Sequence, residues 1–148
     1  MIRVRVQAAD FDTGAELAAL PGNAPGVGAV ASFTGIVRGG DGLSALTLEH
    51  YPGMTEAALQ GIAEEADARW PLTAITIVHR IGRLKVGERI VLVAAASGHR
   101  AAALEATAFL MDWLKARAPF WKREEGPWGT RWVETRGEDA VMAERWKP

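Results

Sequence analysis

The chain has 148 residues, a formal net charge of -1, and 49% hydrophobic against 24% charged residues. That length fits one compact domain over 1–148, and the balanced composition argues against a disordered chain and places no global demand for a nucleic-acid or membrane partner. Cysteine is absent, which excludes disulfides, thiolate metal sites, cysteine nucleophiles and persulfide carriers together. In chain order, Ile2, Val4 and Val6 alternate with Arg3, Arg5 and Gln7, the period of a half-buried strand within Met1 to Asp10. That stretch lacks the apolar region of a secretory signal, so the expected compartment is the cytoplasm. Thr13 followed by Glu16 has capping-box spacing and predicts a short helix through Leu20, and Pro21 to Gly26 predicts a loop. Val27 to Val37 is β-branched and small, which predicts a largely buried strand ending at Arg38; Gly39 to Gly42 then forms a flexible loop, and Leu43 to His50 is the returning strand.

Pro52 and Gly53 break that strand. Leu59, Ile62, Ala63, Ala66 and Trp70 recur at helical spacing, and Pro71 ends the amphipathic helix they define. Leu72 to His79 and the strongly apolar Arg89 to Ala96 read as strands, with a turn at Lys85 to Glu88. A second long helix starts near Ser97 to His99 and stops before Pro119, because a residue preceding proline is pushed out of the helical region. Beyond it the chain is irregular or short-stranded. This order of elements indicates an α+β domain with mainly antiparallel sheet and two long helices.

The stretch MDWLKARAPFWKR, Met111 to Arg123, interleaves four cations with Trp113, Phe120 and Trp121. Lys115 shares a helix face with Met111, Ala108 and Leu104, so it either snorkels outward or sits in a partly desolvated pocket where its pKa falls. Lys122 follows the helix on an extended segment that can fold back toward Lys115, and two adjacent amines suit a nucleophile or an acid/base pair. Two other readings stay open: cations complementing the helix dipole, and a single-stranded nucleic-acid platform, which the balanced charge disfavours. Ser97, Gly98, His99 and Arg100 stand at a strand-to-helix junction, a place for an anion such as phosphate or for a plain serine cap. Arg38, ending a strand beside the glycine-rich loop, is a third candidate anion contact. His79 and Arg80 end a strand and read as structural. The three histidines lack paired or HExxH spacing, so no metal is expected.

Six stretches together resemble the molybdopterin synthase catalytic subunit family: GAVASFTGIVR at 28–38, LEHYPGMTE at 48–56, HRIGRLKVGE at 79–88, SGHR at 97–100, FLMDWLKARAPFWKRE at 109–124 and RWVE at 131–134. The resemblance implies an α/β hammerhead fold and a homodimer flanked by two small ubiquitin-like sulfur carriers, each ending in a Gly-Gly thiocarboxylate. It implies that sulfur passes from that tail to cyclic pyranopterin monophosphate, forming the dithiolene of molybdopterin with no redox cofactor. By motif match, Lys115 and Lys122 stand where the family keeps its catalytic lysines. Arg38, His99 and Arg100 stand where it binds the substrate phosphate, and Arg136 matches an arginine reaching the neighbouring subunit's pocket. Departures are Gly98, where larger residues are familiar, and the glycine-rich 39–42 loop. A narrow channel for the tail is expected, with charge from Lys115, Arg117, Lys122 and Arg123 and wall from Phe120 and Trp121. Two alternatives are a catalytically silent anion-binding scaffold that docks a partner tail, and Schiff-base chemistry at Lys115.

Overall fold

The structure is a computed structural model that describes residues 1–22, 24–133 and 137–147. Its elements are β1 (Ile2–Gln7), α1 (Thr13–Ala19), β2 (Ala29–Ile36), β3 (Ala45–His50), α2 (Met54–Arg69), β4 (Leu72–Arg80), β5 (Gly82–Lys85), β6 (Arg89–Ser97), α3 (Arg100–Arg117), β7 (Phe120–Gly126), β8 (Gly129–Val133) and α4 (Gly137–Glu144). They build two four-stranded sheets, in the orders β1-β4-β6-β2 and β5-β3-β7-β8. The α+β reading holds: β1 runs parallel to β4, and the other pairings described are antiparallel.

The core lies between the first sheet and the two long helices. Ile75, Ile77, Val91 and Val93 meet Leu59 and Ala66 of α2 and Phe109, Leu110 and Trp113 of α3. Phe109 is completely buried, and burying one such ring contributes on the order of 2–3 kcal/mol. Both long helices end where proline requires it, at Arg69 before Pro71 and at Arg117 before Pro119. No helix among the described residues is long and apolar enough to cross a membrane.

Several expectations are corrected. Asp12, not Thr13, caps α1: its carboxylate accepts from the Ala15 N–H at 3.0 Å, while Glu16 is taken up by an ion pair with Arg5. β2 is not largely buried. It is the edge of its sheet, and Val30, Phe33 and Ile36 are exposed on it. Nor does β3 return along β2, for the two strands belong to different sheets. Gly40, Asp41 and Gly42 carry φ of +122°, +53° and +79°, and this left-handed run makes a crossover between sheets that only glycine-rich chain adopts cheaply. The four-residue β5 and the terminal α4 also went unread. α4 leads into a turn held to α3, where Arg145 and the Trp146 indole N–H both reach the Asp112 carboxylate, at 2.8 and 2.6 Å.

Candidate active site

The site forms where α3 stops. Ala118 is extended, with ψ of 128°, because Pro119 forbids another helical residue before it. The Thr55 hydroxyl, itself fully buried, donates to the Pro119 carbonyl at 3.0 Å and fixes the direction of departure. β7 then begins at once and pairs with β3, setting Phe120 opposite His50 and Lys122 opposite Leu48. The strand alternation turns Phe120, Lys122 and Glu124 to one side. That side faces the last turn of α3, where Leu114 and Lys115 project.

Between them lies a cavity of about 580 Å³. Its cations are Arg38, Lys115, Lys122 and Arg131, and its acids are Asp41, Glu124 and Asp139. Leu46, Ile90, Leu114 and Phe120 supply apolar wall. Glu124 is engaged by Arg131 at 2.9 Å, and Arg38, Lys115 and Lys122 line the same cavity with the 39–41 loop. Such a concave site, apolar in its walls with a few convergent charges, is the usual form of a small-ligand pocket.

His79 also lines it. The ring is 4% exposed, stacks on Phe120 with centroids 3.8 Å apart, and bonds through Nδ1 to the Arg80 carbonyl at 2.8 Å. Burial pushes its pKa down to about 3, with Lys115, Lys122 and His50 adding to the effect and the Arg80 hydrogen bond opposing it. The imidazole is therefore neutral at physiological pH. Arg80, its neighbour, points to the other face of β4 and spends its guanidinium on the Ala8 and Arg89 carbonyls, a structural tie between β1 and β6.

The structure thus brings Lys115, Lys122 and Arg38 together. His99 and Arg100 are exposed at the opposite end of α3, roughly 22 Å from Lys115 at 1.5 Å rise per residue, and do not line the cavity. Ser97 does not offer its hydroxyl to an outside anion: it donates to the Pro71 carbonyl at 2.8 Å and accepts from the His99 N–H at 3.1 Å. Gly98 has a local reason, since the 26–28 loop lies against it and a Cβ at Gly98 would come within 3.1 Å of the Gly26 carbonyl oxygen. Arg136 lies outside the described residues. Of the other channel residues expected, Arg117 stacks over Trp113 at 3.5 Å and Arg123 lies over Trp132 at 5.8 Å. Trp121 is on the opposite face of β7 from Lys122 and half exposed. The α3 face around Lys115 is a border and not an apolar stripe, because Met111 is buried but Leu104 is 62% exposed. His79, Glu124, Arg131 and Asp139 were missed as pocket residues. Alternation along β7 from Lys122 was the one available signal, and it points to Glu124.

The sequence matches the family model described as MoaE protein over residues 6–117. The chain belongs to the MoaE family. A Mesorhizobium japonicum molybdopterin synthase catalytic subunit is 56% identical over 97% of this chain and 92% of its own. An Escherichia coli protein of that name is 58% identical over 80% of this chain and 81% of its own. Among solved structures, a molybdopterin biosynthesis MoaE protein from Burkholderia ambifaria superposes with a TM-score of 0.86 at 50% identity, covering 99% of this chain and 98% of that one. The MoaE fold is thus the one seen here.

Proposed function

We propose that this chain, read as one domain over 1–148, is the catalytic subunit of a molybdopterin synthase. It transfers sulfur from the C-terminal thiocarboxylate of a small carrier protein to cyclic pyranopterin monophosphate, forming the dithiolene of molybdopterin. The observation that carries the reading is one cavity that gathers Lys115, Lys122 and Arg38 in a MoaE-family chain without cysteine. With no thiol of its own the protein cannot hold the sulfur, so the atom must arrive on a partner. A thiocarboxylate is anionic, and the cations of the cavity suit it.

In the proposed sequence the thiocarboxylate sulfur bonds to a side-chain carbon of the pterin as the carbon–oxygen bond at that carbon breaks, the displaced oxygen leaving protonated as water or, where it carries the phosphate, as the phosphate's own oxygen. Water then attacks the carrier's acyl carbon, the bond from that carbon to sulfur breaks, and sulfur stays on the pterin while the carrier leaves as a carboxylate. A second carrier repeats the transfer. Lys115 and Lys122 stabilise the oxyanion that forms at the acyl carbon and move protons to and from it. Arg38 binds the substrate phosphate. Mixing the protein with thiocarboxylated carrier and the pterin precursor in the absence of other proteins should yield dithiolene product; carrier that stays thiocarboxylated would refute the reading.

His99 and Arg100 do not line the same copy's cavity, and we assign them, together with Arg136, to the pocket of a second copy in a homodimer, with one carrier at each end. The unpaired edge of β2, with Val30, Phe33 and Ile36 exposed, supports association on an apolar face. A mixture of Lys115→Ala and Arg100→Ala proteins, each inactive alone, should then recover part of the activity, since one pocket in a mixed dimer is intact. Recovery of none would place each site within a single copy. The cytoplasm is the compartment proposed.

A further inference from the structure

Among the titratable groups of the cavity that the proposed chemistry leaves unused, His79 is the buried one. On β4, Ile75, Ile77 and His79 fall on the same face of the strand. The first two pack in the core, and the third sits where that face runs out beneath the end of α3, lining the cavity. An apolar ring there would stack on Phe120 as well as imidazole does and would avoid the cost of burying polar nitrogens. The imidazole is held in one state. A carbonyl oxygen can only accept, so the 2.8 Å contact to Arg80 puts the ring's hydrogen on Nδ1. Nε2 is left as a lone pair. The charged and titratable groups facing the ring are Lys115 from α3, Lys122 from β7 and His50 from β3, and Lys115 exerts the largest effect of the three. These oppose a second proton, so the ring keeps its acceptor at working pH.

Resting on the reading of Lys115 as a catalytic cation, we propose that His79, which lines the same cavity as Lys115 without being hydrogen-bonded to it in the structure, is a positioning residue whose Nε2 takes up a hydrogen bond from the Lys115 ammonium when the carrier tail enters and aims the amine at the arriving acyl carbon. A carboxylate in this place would orient the lysine equally well, but it would also cancel the charge and repel an anionic tail. A neutral acceptor fixes direction and leaves the positive charge in the cavity. The adjacent Phe120 stack keeps the ring from turning, and the Arg80 bond sets its tautomer.

The test is a single-turnover pH series with thiocarboxylated carrier and precursor, on the wild type and on His79→Phe, His79→Asn and His79→Gln. Phenylalanine keeps the stack and removes the acceptor; asparagine reaches only as far as Nδ1; glutamine places an amide oxygen near the Nε2 position. In the first two variants the rate should fall by roughly 10- to 100-fold, the scale of one hydrogen bond to a charged group, with precursor KM little changed. An acceptor stabilises the ammonium form of its donor, so its loss should also move the alkaline limb of the rate profile to lower pH. Glutamine should restore most of both. A purely packing role would leave the limb unmoved, with glutamine no better than asparagine, and that result overturns the proposal. If Lys115→Ala is inactive and the limb stays put in His79→Phe and His79→Asn, this inference alone fails. If Lys115→Ala turns over normally, the assignment of Lys115 fails and takes the inference with it.

Discussion

Replacing Lys115 with alanine should lower product formation by at least about 100- to 1000-fold, the scale of removing one preorganised group that stabilises a developing oxyanion. The fold should survive. Lys115 stands on a border face of α3, partly buried, while Leu114 and Met111 beside it are buried and do the packing. Alanine is also the better helix former, so the last turn of α3 loses nothing in local preference. Arginine is not expected to substitute, because its planar fork is wider than an ammonium and presents its donors in a fixed geometry. Dithiolene formation under single-turnover conditions gives the rate, and circular dichroism with a thermal melt gives the fold. Near-normal turnover would remove Lys115 from the chemistry, and an unfolded variant would show that the residue is structural.

How much of this could be read from the chain varies with the kind of signal. The boundaries of α2 and α3 were legible because Pro71 and Pro119 act on the backbone directly, whatever packs around them. β1, β4 and β6 were legible from alternation or from continuous apolar runs. β2 misled because its β-branched and small residues look the same on a buried strand and on an edge strand; only the partner decides, and the partner is a tertiary fact. For the same reason the Gly39 to Gly42 segment was taken for a hairpin, when its left-handed residues carry the chain between two sheets. β5 and the first turns of α4 are too short for either period to show. In the site, Lys115 and Lys122 were legible by resemblance, but which of their neighbours joined them was not. Alternation sends Arg123 and Trp121 away from Lys122, a rule that applies only once Phe120 is known to begin a strand. His79 reads as structural in its own segment, and nothing there places it in one cavity with Lys115, a residue of α3 separated from it by β5 and β6.

A carrier whose Gly-Gly tail is extended by one residue, or ends in Gly-Ala, should lose sulfur transfer almost completely while its globular part still docks. On the proposed reading the thiocarboxylate reaches the space between Lys115 and Lys122, in a cavity lined by the 39–41 loop and by Leu46, Leu114 and Phe120. His79, nearly inaccessible and stacked on Phe120, forms part of the inner lining. A tail built from glycine can lie close against such walls because it has no Cβ. One added residue moves the reacting carbon by up to about 3.3–3.6 Å along an extended chain, which is enough to take it past hydrogen-bond reach of either amine. Transfer geometry is sensitive on that scale: a misplacement of about 1 Å can cost on the order of 100-fold in rate. Docking is measured separately by isothermal titration with unmodified carriers, and transfer by dithiolene formation under single-turnover conditions. The expected result is similar affinity for the three carriers with transfer confined to the native tail. Equal transfer from native and extended tails would mean the cavity is open beyond Lys115, so that the tail does not set the position of its own reacting carbon.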